Sequence, residues 1–114
     1  MRSATPILYA DDATASAAWF GSLGFEIEFT HRFDDHSPLF VGLVSGDARI
    51  MLSEHRGDAP RHGLVYVRVD DLEEAAAALG VPAEVQEWGI REAHAVDPGG
   101  NRVRVAQLEE TASS

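Results

Sequence analysis

The chain contains no cysteine among its 114 residues. Disulfides, a thiolate nucleophile and cysteine-based zinc sites are therefore excluded, and the absence suits a reducing cytoplasm. Positive charge is also scarce: nine basic residues stand against 19 acidic ones, a formal charge of −10. Nucleic acid, whose phosphates call for a basic surface, is a poor partner for such a chain. A field of this sign keeps a protein soluble and draws cationic ligands from a distance. Long apolar runs are missing too. The opening "MRSATPILYADD" lacks the apolar centre of a signal peptide, and no stretch reaches the length of a membrane span. The closing "EETASS" is small and polar, a segment expected to fray.

What is present is enough for one domain, residues 1–114, able to bury roughly 65% of its unfolded surface. Pro6 to Ala10 reads as a short apolar strand. Asp11 and Asp12 then offer N-caps for "DATASAAWFGSLG", where Ala17, Trp19, Phe20 and Leu23 give a helix its apolar face and Gly24 closes it. "FEIEFTHRF" alternates as a half-buried strand does, and "PLFVGLVSGDARIMLSE" is two strands joined across Ser45-Gly46-Asp47. After a charged, turn-rich linker, Ser53 to Gly63, the order restarts. "LVYVRVDD" is a strand ending in an acidic pair, "LEEAAAALG" a helix with a glycine stop, and "PAEVQEW" a weak strand. "IREAHAVDPGGNRVRVAQL" is a hairpin around Pro98 and two glycines. Asp12 corresponds to Asp71, Gly24 to Gly80 and Gly46 to Gly99, the offset shrinking from 59 to 53.

The chain therefore reads as two βαβββ modules, residues 5–54 and 62–108, an internal duplication of α+β class. A helix covers only one face of each sheet. Two such sheets form a curved mixed-sheet cup with the helices outside, and a cup is a natural small-molecule site.

The segments "ILYADDATASAAWFGSLGFEIEF" (Ile7 to Phe29) and "WGIREAHAVDPGGNRVRV" (Trp88 to Val105) resemble the glyoxalase/bleomycin-resistance/extradiol-dioxygenase superfamily, the vicinal oxygen chelate fold. With the linking strands the resemblance covers nearly the whole chain, and the Trp-Gly-x-Arg-Glu run before DPxGN looks most like the bleomycin-resistance branch. Enzymes of the superfamily hold a divalent metal with His, Glu or Gln on four strands. By resemblance those seats fall at Thr5, Met51, Leu64 and Arg104, and the repeat agrees, since Thr5 and Leu64 are 59 apart and Met51 and Arg104 are 53 apart. Leucine has no donor atom, a thioether suits soft copper, and arginine stays protonated with no free lone pair. The expectation is no metal, no cofactor and no catalytic residue.

Strand alternation adds Tyr66 and Arg68, Arg102 and Ala106, Arg49 and Ser53, and Ile7 and Tyr9 to the cup, while Val103, Val105, Ile50 and Leu52 face the helices. The candidate ligand contacts are Phe33, Phe40, Met51, Tyr66, Trp88, His94 and Arg104. Trp88 is expected at a rim, where its π-face suits a flat heteroaromatic group. In the branch it resembles, a tryptophan in this run helps stack the drug, and the loop holding Asp34-Asp35 carries aromatics. Trp19 and Phe20, at helical spacing, are core. An alternative is a plugged interior with Arg104 bridged to a carboxylate such as Glu54. His31 and His36 match no zinc spacing. His62 is a candidate displaced metal ligand and His94 a ligand contact or general acid/base.

The resemblance thus implies a metal-free protein that sequesters a bleomycin-like or other cationic aromatic antibiotic, a homodimer with ligands in clefts between subunits. Alternatives are a lyase, isomerase or dioxygenase of the same fold, or a small-molecule-sensing subunit.

Overall fold

The computed structural model describes residues 2–32 and 34–108. The first module runs β1 (Ile7–Tyr9), α1 (Ala13–Gly21), β2 (Glu26–His31), β3 (Phe40–Ser45) and β4 (Ala48–Ser53). The second runs β5 (Leu64–Val69), α2 (Leu72–Leu79), β6 (Ala83–Val85), β7 (Arg91–Val96) and β8 (Arg102–Gln107). The sheets have the orders β1-β4-β3-β2 and β5-β8-β7-β6, the same arrangement used twice. In each, the first strand runs parallel to the last and the other pairs are antiparallel. This is the duplicated α+β arrangement the sequence predicts.

Both helices begin on the same device. Asp12 and Asp71 lie in extended backbone, and their carboxylates accept the N–H of Ala15 and of Glu74. Each cap satisfies an amide the first turn leaves unpaired. The stops differ. α2 ends on Gly80 in the left-handed region, as expected, whereas α1 ends at Gly21 with Ser22 as its cap. Ser22, Leu23 and Gly24 donate to carbonyls three residues back, so the last turn tightens before Gly24, at φ 92°, reverses the chain.

The core lies between each sheet and its helix. Leu8, Val41, Leu43, Ile50 and Leu52 meet Ala13, Ala17 and Phe20, while Val67, Ala93, Val103 and Val105 meet Leu72, Ala75 and Ala76. Phe20 is fully buried, with Trp19 and Phe25 edge-on to its ring at 4.9 and 5.9 Å. The strand expected to be half-buried, β2, is exposed along its length. It is an edge strand, and a bulge at Glu28 breaks its alternation: Ile27 pairs with Leu43, but Phe29 pairs with Gly42. Phe29 is thereby turned to the side away from α1.

The DPxGN turn ties the modules together. Asn101 is fully buried; its amide nitrogen donates to Tyr9 O (2.8 Å) and to Asp97, and its oxygen accepts from Gly63 N–H (2.9 Å). Gly99 has to be glycine, because a Cβ there would stand 2.5 Å from the Tyr9 carbonyl oxygen. The molecule measures 49 × 32 × 21 Å with a radius of gyration of 14.8 Å, above the value of about 13 Å for a compact chain of this length. The modules therefore lie side by side, and each sheet keeps one face free of helix. No helix among the described residues is long and apolar enough to cross a membrane.

Candidate ligand site on the second sheet

Alternation along β7 and β8 sends Ala93, Ala95, Val103 and Val105 towards α2 and leaves Glu92, His94, Arg102 and Arg104 on the open face. On β5 the same rule leaves Leu64, Tyr66 and Arg68 there. Tyr66 lies opposite Arg104, and Arg104 opposite His94, so the three form one row across three strands. Trp88 joins from the β6–β7 loop. Gly89, at φ 88°, makes the tight turn in which Gln86 N–H bonds Ile90 O and Gly89 N–H bonds Gln86 O, and this returns the indole to the sheet.

These side chains converge on Glu92. Arg104 donates from Nε to Oε1 (3.0 Å) and from a terminal nitrogen to Oε2 (3.1 Å), the bidentate pairing that a planar guanidinium favours. His94 Nε2 reaches Oε1 at 2.8 Å, while the Tyr66 hydroxyl (2.9 Å) and Trp88 Nε1–H (3.3 Å) donate to Oε2. Glu92 is only 2% exposed, yet it lies on the sheet surface; its own donors cover it. Burial pushes its carboxyl up, but the hydrogen bonds from His94, Tyr66, Arg104 and Trp88 outweigh this and hold it at about 2. Burial and the neighbouring Glu92 together raise Tyr66, so its hydroxyl stays a donor. The Arg104 guanidinium lies 5.0 Å from the Trp88 ring centre and 5.2 Å from that of Tyr66, and Arg68 lies 5.2 Å from Tyr66. The result is a preorganised aromatic–guanidinium platform.

The open face of the first sheet is different in kind. Ile7 and Met51 are register partners, and Met51 lies beside Gly42. Phe29 lies flat over Gly42, where a Cβ would meet its ring at 2.1 Å, and stacks on Phe40 at 6.2 Å and 20°. The apolar side chains of this face are partly exposed, Ile7 at 41% and Phe29 at 38%, and further along β4 Arg49 pairs with Glu28.

Of the sequence-predicted contacts, Tyr66, Trp88, His94 and Arg104 are brought together, with Trp88 half exposed. Phe40 and Met51 stand on the other sheet, and the hydrogen bonds around Glu92 stay within the second module. Phe33 lies outside the described residues. Arg104 is bridged to a carboxylate, but the partner is Glu92 and not Glu54. Glu54 instead accepts the N–H groups of Ala13 (2.7 Å) and Leu39 (2.9 Å), fixing the start of α1. His62, at φ 62°, turns its ring nitrogen to Gly100 O at 3.3 Å. Sequence reading missed Glu92 and Phe29. Extending the alternation from His94 back along β7 finds the first; no sequence signal marks the bulge that turns the second.

The residues on this face do not fit a divalent cation. Both Glu92 oxygens already accept hydrogen bonds, and the guanidinium beside them would repel a dication by several kcal/mol at an effective dielectric of about 20. Among the described residues no three His, Asp or Glu side chains are placed to hold a metal ion.

Comparison with known proteins agrees with this fold. A family model described as "Glyoxalase superfamily protein" matches residues 1–112. No curated protein sequence matches the chain. Among solved structures, a bleomycin resistance determinant encoded on the transposon Tn5 is 29% identical, with 96% of this chain and 100% of that one covered and a TM-score of 0.71. A bleomycin-binding protein complexed with bleomycin gives the same identity, coverage and TM-score. A lactoylglutathione lyase from Agrobacterium tumefaciens is 23% identical over 93% of this chain and 92% of that one, TM-score 0.68, a likeness of fold. With a duplicated βαβββ architecture and a family match over almost its entire length, the chain belongs to the glyoxalase superfamily.

Proposed function

We propose that this protein binds a flat aromatic antibiotic of the bleomycin type and sequesters it stoichiometrically. The observation that carries the reading is the platform of Trp88, Arg104 and Tyr66 locked on Glu92. It is preformed and partly exposed, with Tyr66 and Arg104 on strands and Trp88 on the tight β6–β7 turn, so little side-chain freedom is lost when a ring system lies against it. Likeness to a bleomycin-binding protein at 29% identity supports the ligand class. The proposal includes a homodimer, in which the apolar face of Ile7, Phe29, Phe40 and Met51 from one copy closes over the platform of another. Exposed apolar side chains on both open faces, Leu64 and Val96 among them, favour such a cover.

Titration with bleomycin, read by tryptophan fluorescence, tests the reading. Saturable quenching is expected, and Trp88→Phe should abolish it while Trp19 still emits. No change in fluorescence and no heat of binding with bleomycin or related aromatic antibiotics would refute sequestration of that class.

One observation favours a second reading. The 2.8 Å contact between Glu92 and His94 is the arrangement that orients an imidazole for proton transfer. That reading requires the bound compound to be chemically changed, and His94→Gln to stop the change without loss of binding.

A further inference from the structure

All nine cationic side chains of this acidic chain are arginines; it has no lysine. Three of them, Arg68, Arg102 and Arg104, share the open face of the second sheet, and among the described strand residues the acids on that face are Glu84 and Glu92. Much of the −10 lies elsewhere: Asp12, Asp71, Glu73 and Glu74 stand at the helix starts. Glu92 offers a ligand nothing, because its two oxygens accept from four side chains. Glu84 sits opposite Glu92, and Arg102 sits opposite Val96, four residues further along β7. That separation is about 13 Å. The face is therefore locally basic on an acidic molecule.

His94, Arg102 and Arg104 line one depression of about 200 Å³, with Val96 in its wall. Among the described residues no carboxylate pairs with Arg102. Arg104 bonds Glu92 through two of its three nitrogens, and among the described residues the third has no hydrogen-bond partner. Guanidinium groups already lie 5.0–5.2 Å from the ring centres of Tyr66 and Trp88, so a ligand ammonium placed beside these rings would meet like charge. A carboxylate meets the opposite situation, since the guanidinium fork matches its two oxygens.

We propose that this depression is an anion subsite: Arg102 and the remaining nitrogen of Arg104 receive a carboxylate on a ligand whose aromatic body rests against Trp88 and Tyr66. The inference rests on the reading of that face as an aromatic-ligand surface. It adds that the group entering between β7 and β8 is acidic, although the protein as a whole attracts cations.

The test is an NMR titration of the full chain, following the Trp88 indole N–H signal, assigned with Trp88→Phe. The probes are 2-naphthoate, the neutral 2-naphthamide and the cationic 2-naphthylmethylammonium. Naphthoate should bind about tenfold more tightly than the amide, with the cation weakest. Arg102→Ala, a change at an exposed side chain, should bring the acid to within about twofold of the amide and leave the amide unmoved. Equal binding of acid and amide, tightest binding of the cation, or indifference to Arg102→Ala overturns the anion subsite while leaving the aromatic surface standing. If none of the three probes moves the Trp88 signal, the surface and the subsite fall together.

Discussion

Glu92 shows how one acidic side chain can organise a site it does not itself offer to a ligand. Its carboxylate fixes the ring orientations of Trp88 and Tyr66, the imidazole of His94 and the fork of Arg104. Glu92→Gln keeps the size but removes the charge, leaving Arg104 without its counter-ion. A loss of about 1–3 kcal/mol of stability is expected by urea denaturation. The pH dependence has a definite sign. A carboxyl held at about 2, against an ordinary 4.5, stabilises the fold fully above the ordinary value. That contribution fades as pH falls from 4.5 towards 2, so the stability gap between the natural protein and Glu92→Gln should close across this window. A gap constant with pH would mean that the charge of Glu92 has no stabilising role. In the sequence Glu92 was hard to read for a physical reason. One acid among 19 passes for solvated surface charge, and only its register opposite Arg104's strand makes it central.

At the scale of elements, two features separate what the chain declares locally from what tertiary contact decides. The DPxGN turn was legible as a hairpin, but its role was not, because the partner of Asn101 is the Tyr9 carbonyl, 92 positions away. Asn101→Ala strips three segments of hydrogen bonds at a fully buried position, leaving Gly63 N–H, Tyr9 O and Asp97 short of partners. A destabilisation of about 2–4 kcal/mol is expected, read as a drop in the midpoint of thermal unfolding. A change below about 0.5 kcal/mol would show that the turn does not clamp the modules. The second feature is β2. Its letters alternate cleanly, yet the bulge at Glu28 puts Ile27 and Phe29 on opposite sides. Period-two reading assumes an unbroken strand, so it placed the open-face aromatics of the first sheet incompletely.

For the whole molecule, the duplication was the most readable fact in the sequence. Corresponding caps, glycines and turns gave both modules, and the two sheets share one strand order. The four seats inferred from the resemblance then separate: Arg104 lies in the platform, Met51 in the apolar face of the other sheet. Overall charge was a weaker guide, since it averages over faces that differ in sign. We propose that two such faces, one largely apolar and one basic-aromatic, enclose a drug without altering it. Native mass spectrometry of the protein with excess bleomycin is the test. The expected particle holds two chains and two drug molecules, and the drug released from it has its original mass. A single chain without drug, or a drug recovered with a changed mass, would contradict the account.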